Sequence, residues 1–151
     1  MRTRRTIGII TAGMLALASQ SASALIIYSQ DPTDGGESFF SSIDGGAQNA
    51  DMFTIAADVV LSQITWWGTD TADLDAFDVL IYANAGGTPA LTPFLTATGA
   101  VSRTSTGLVD SATPGNSIFR YDLDGAFALA AGDYSLAVGN DGLVEWFWAS
   151  A

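Results

Sequence analysis

The chain of 151 residues contains no cysteine, no histidine and no lysine. Without histidine or cysteine it can supply neither a Ser-His-Asp triad, nor a thiolate nucleophile, nor a typical zinc site. Without lysine it can form no Schiff base. Without disulfides its fold rests on apolar burial, which a 48% hydrophobic composition can supply. Glutamate is almost as scarce, since Glu37 and Glu145 are the only two. Nothing around either marks the tuned acid and base that glycoside hydrolysis needs, so the chain is not expected to be an enzyme.

What is present begins with an address. Arg2, Arg4 and Arg5 precede the apolar run 7–18, which leads into the small-residue site Ala22-Ser23-Ala24. That order predicts a secretory signal peptide over residues 1–24. The run is far short of the roughly 20 apolar residues that a membrane-spanning helix needs. The general secretory route is expected rather than the twin-arginine one, because Thr6-Ile7-Gly8 after Arg4-Arg5 fits the latter poorly. The mature protein is then expected to start near Leu25, outside the cytoplasm, as a single domain over 25–151.

In that mature part Arg103 and Arg120 face 16 acidic residues, a net charge of −14. A surface so acidic repels phosphate backbones and anionic lipid, which disfavours nucleic acid and membrane surfaces as partners. Calcium, cationic partners and neutral sugars are admitted.

Periodicity of two runs through most of the chain. Phe77, Val79 and Ile81 share one face, opposite Asp78, Leu80 and Tyr82. Phe119, Tyr121 and Leu123 lie opposite Ile118, Arg120 and Asp122, and Tyr134, Leu136 and Val138 lie opposite Ser135, Ala137 and Gly139. Over 59–67, Val60, Ile64 and Trp66 share one face, with Leu61, Gln63, Thr65 and Trp67 opposite. Further strands are expected at 25–29, 39–43, 52–55, 95–101 and 144–148, with 104–116 as a mobile segment. Gly, Pro and Asp turns separate them, and no 3.6-residue stripe follows the signal. The expected fold is all-β, an antiparallel β-sandwich or jelly roll, with a closed barrel as the alternative.

Three stretches carry a likeness: Ala50-Asp51-Met52-Phe53-Thr54-Ile55 running on to Ile64-Thr65-Trp66-Trp67-Gly68; residues 77–84 with Gly86-Gly87-Thr88-Pro89; and Leu129-Ala130-Ala131-Gly132-Asp133-Tyr134-Ser135-Leu136. Together they resemble the secreted bacterial jelly-roll domains found in proteins with a PEP-CTERM sorting tail. The likeness covers roughly 48–148 and implies an extracellular module without an assigned catalytic role. The tail itself is absent. A Pro-Glu-Pro motif, apolar helix and basic cluster do not appear before Ala151, which leaves two readings open: release rather than anchoring, or loss of the last strands.

The expected function is therefore a non-catalytic structural or adhesive role at the cell surface or in the extracellular matrix. The alternative is a carbohydrate-binding module in which Trp67 and Tyr82, exposed on neighbouring strands, form a stacking platform for sugar rings of an extracellular polysaccharide. Calcium could steady it, because that ion takes about six to eight oxygen ligands and aspartates crowd the turns. The densest groups are Asp70, Asp73 and Asp75, then Asp122 and Asp124, with Asp31 and Asp34 a third. None matches an EF-hand loop.

Overall fold

A computed structural model describes residues 29, 31–46, 48–111, 115–142 and 145–149. The expected signal peptide and all but the last residue of the strand expected at 25–29 lie outside them. Ten strands are described: β1 (Ser38–Phe40), β2 (Ala50–Ile55), β3 (Val59–Thr69), β4 (Phe77–Ala85), β5 (Thr88–Pro89), β6 (Leu95–Ala97), β7 (Val101–Val109), β8 (Ser117–Leu129), β9 (Gly132–Asn140) and β10 (Phe147–Ala149). They pair antiparallel into two sheets, β1-β10-β3-β8-β7 and β2-β9-β4-β5, with β6 also on β4. This is an antiparallel β-sandwich. Two separate sheets, each with edges, replace the barrel alternative.

The inner faces meet in an aromatic cluster. Phe77 sits with ring centroids 4.9 Å from Tyr121, 5.1 Å from Trp146 and 5.2 Å from Trp66. Val79, Ile81, Leu123 and Val138 extend it along both sheets, each with at most 1% of its surface exposed. Burying a side chain of this size stabilises by about 1.5–3 kcal/mol, which is how the chain holds together without a disulfide.

Several local expectations change. A bulge between Leu61 and Gln63 reverses the alternation in β3, so Leu61 packs against the core and Val60 is 63% exposed. Beyond the bulge Ile64 and Trp66 return to the core, as the alternation requires. The strand expected at 95–101 is two strands: β6 pairs with β4 and β7 with β8, so the chain changes sheets between them. Gly99 makes that crossing directly over Leu123, where a Cβ would come within 2.8 Å of its Cδ1. The stretch expected to be mobile begins as strand, while its residues 112–114 lie outside the described residues. Residues 104–109 belong to β7, whose Ser and Thr side chains suit an exposed edge.

β9 is buried on both faces rather than one. Ser135 and Ala137 on its outward side have no exposed surface. On this side Ser135 Oγ donates to Asn84 Oδ1 at 3.0 Å, and Gln48, just before β2, donates its Nε2 to the Tyr82 hydroxyl at 3.0 Å. Ile43 lies against Gly139 at the end of β9. The last strand begins at Phe147, because Trp146 turns its ring into the core and its carbonyl accepts from Ser41 N.

Two edge strands carry inward charges. Asp51 on edge strand β2 shares a face with Leu136, its register partner, and burial raises its carboxyl above the usual range. Arg103 on edge strand β7 shares a face with Tyr121, lays its guanidinium 4.9 Å from the Phe119 ring centre, and bonds to Asp70 and to the Thr71 carbonyl. Inward charges on edge strands resist pairing with another sheet.

Candidate functional site

Trp67 and Tyr82 are not brought together. β3 belongs to one sheet and β4 to the other, and since Trp66 and Ile81 point into the core, Trp67 and Tyr82 point away from it on opposite sides. The two-ring platform is therefore not formed. The cause is topological: a 3₁₀ turn at Leu74–Ala76 carries the chain from one layer to the other.

The calcium candidates also separate. Asp70 pairs with Arg103. Asp73 lies against Gly142, and its carbonyl accepts from Asn140 Nδ2 at 2.9 Å. Asp75 lines a cleft of about 230 Å³ floored by Val79, Ala97 and Leu123. Asp34 accepts from Val109 N, while Asp31 accepts from Ser29. Among the described residues no three carboxylates converge as a metal site would require.

What the fold does assemble is one face. Trp67 stands opposite Arg120 in register, Thr65 opposite Asp122, and Gln63 opposite Asp124, all on the outward side of β3 and β8. Ser102 and Thr104 of β7 continue the same rows. The Asp122 carboxylate Oδ1 accepts from Thr65 Oγ1 at 2.6 Å and from Arg120 Nε and Nη2 at 2.9 and 2.7 Å. Arg120 Nη2 also reaches Gln63 Oε1 at 3.3 Å, and Gln63 Nε2 donates to Asp124 Oδ1 at 2.8 Å. Five polar side chains thus form one connected ladder beside a half-buried tryptophan.

This face joins residues from two different expectations, Trp67 from the platform and Asp122 with Asp124 from the calcium groups. The sequence shows which face each one takes through its alternation. Their partners Thr65, Gln63 and Arg120 depend on strand pairing, which no spacing reveals.

A second polar cluster lies where β4 begins and β9 ends. Asp141 ties down the 41–46 turn by accepting from the Ser42 hydroxyl and from Asp44 N. Asp78 is raised above the ordinary carboxylate range, first by burial and then by Asp141, which also hydrogen-bonds it, and by Asp44. These groups fix a turn.

No family model, curated protein or solved structure matches this chain.

Proposed function

We infer that the protein is exported and acts as a non-catalytic adhesive or structural module of the cell surface or extracellular matrix. The observation that carries this reading is the form of the polar surface: its hydrogen-bonding side chains are set in flat rows on the outside of a sheet. Catalysis calls for the opposite arrangement, groups converging on one reacting atom in a water-excluded site. The ladder over β3 and β8 lies on the outer face of the sheet, with Gln63, Arg120 and Asp124 exposed, and its groups are held to one another.

Export rests on the first 24 residues, whose basic start, apolar run and Ala-Ser-Ala site are read by secretion machinery. A core built without cysteine folds equally well in reducing and oxidising compartments, which suits synthesis in one and work in another.

The test is expression of the full chain in a bacterial host, with separation of cytosol, surface washings and medium. Protein outside the cytosol with Leu25 as its first residue is the expected result. Protein confined to the cytosol and still starting at Met1 would overturn the reading.

A further inference from the structure

We propose that the outward face of β3 and β8 is a binding site for a neutral glycan strand, which stacks a sugar ring on Trp67 and sets its hydroxyls against Arg120, Asp122, Gln63 and Asp124. The inference rests on the adhesive reading and names what the adhesive surface grips.

Three observations lead to this ligand class. Trp67 is the aromatic member of the face, and an indole presents a flat apolar surface to the C–H side of a sugar ring. Beside it, donors and acceptors alternate: a guanidinium, two carboxylates, a carboxamide and a hydroxyl, the mixture that a run of sugar hydroxyls requires, since each hydroxyl both donates and accepts. The ladder is already tied together by its own hydrogen bonds, so binding would order few side chains and lose little rotamer entropy.

Charge narrows the choice further. Arg120 and Arg103 are the only cations of the mature part, and each is already held by an aspartate. An anionic polysaccharide would meet net repulsion, and so would a phosphate polymer. Strands run about 4.8 Å apart and alternate residues of one strand nearly 7 Å apart, so a glycan crossing the rows meets a fresh pair of polar groups at each step.

The experiment uses the exported protein and soluble cello-, laminari- and manno-hexaose, with an oligogalacturonate as anionic control, read by tryptophan fluorescence and by retardation in glycan-loaded gels. Binding of at least one neutral hexaose and none of the anionic one is expected. Trp67→Ala should lower that affinity by about tenfold or more, since loss of one stacked ring is worth about 1.4 kcal/mol. Gln63→Ala should weaken it while leaving the circular dichroism spectrum unchanged, which separates loss of contact from loss of fold. Tyr82→Ala, on the opposite side, should leave affinity as it is.

Silence across the neutral panel, tighter binding of the galacturonate, or full affinity in Trp67→Ala would each overturn the proposal. Binding by a protein that never left the cytosol would uphold it while overturning export, so the two readings fail separately.

Discussion

The indole of Trp146 fills the place that a side chain at residue 68 would need: a Cβ built on Gly68 falls 2.2 Å from Trp146 Cζ2 and 2.6 Å from the Phe147 carbonyl. The tryptophan has no exposed surface and lies edge-on to Phe77, so it has nowhere to retreat. Gly68→Ala should therefore destabilise the fold by about 1–3 kcal/mol, the usual cost of overpacking a filled core. Urea unfolding followed by tryptophan fluorescence measures it. A midpoint equal to wild type would show that the aromatic cluster is looser than these distances imply.

Tyr121 ties β8 to the last residue of β3 through one polar contact. Its hydroxyl donates to the Thr69 carbonyl at 2.6 Å, and burial pushes the phenol up to about 12 against the smaller opposing influence of Trp146 and Arg103. Because the folded value lies above the unfolded one of about 10, this group's contribution is complete below pH 10 and is lost as the pH climbs toward 12. Alkaline titration by ultraviolet absorbance should show one tyrosine ionising only as the protein unfolds. Tyr121→Phe should cost about 0.5–1.5 kcal/mol, the usual net worth of one lost hydrogen bond.

Carboxylates at Asp51 and Asp78 act in the other direction at neutral pH. Both are raised, Asp51 by burial and Asp78 by burial, then Asp141 and Asp44. A group raised in the folded state adds stability below its unfolded value and loses it as pH rises through the folded one. The protein should accordingly gain from mild acidification as far as these two are concerned. Asp78→Asn should stabilise at pH 7 by a few tenths of a kcal/mol, a small gain because the site is largely hydrated and screened. Thermal melts of both proteins between pH 4 and 8 give the difference, and a loss of stability at pH 7 would contradict the repulsion described.

Arg103 closes the open side of the sandwich near β7. Its guanidinium lies over Phe119 and bonds to Asp70 and the Thr71 carbonyl, at the edge of a nine-residue strand whose last residue, Val109, is also held by Asp34 and Gly35. Arg103→Thr should cost about 0.5–1 kcal/mol through the lost ring contact. It should also promote association between edges, visible as a concentration-dependent sedimentation coefficient. A variant that stays monomeric at every concentration would show that the inward charge does not guard this edge.

Much of the fold was legible from side-chain alternation. Val79 and Ile81, Tyr121 and Leu123, and Trp66 face the core because each occupies one parity of a strand. Parity failed where the backbone breaks it. The bulge before Gln63 sends Leu61 inward and Val60 outward, although both are aliphatic and either could have filled the core. It also could not report which strands are neighbours. Trp67 and Tyr82 were read correctly as outward-facing, yet they lie on opposite sides because consecutive strands here belong to different sheets. The union of Thr65 with Asp122 joins residues 57 apart, so only the folded pairing discloses it.

We propose that the sandwich is exported and works through one flat face. The most direct test compares the wild-type protein and Trp67→Ala, both secreted from the same cells, by the share held in the extracellular matrix against the share free in the medium. The account predicts wild type retained in the matrix, and an equally folded Trp67→Ala released to the medium. Equal partition of the two proteins would contradict it.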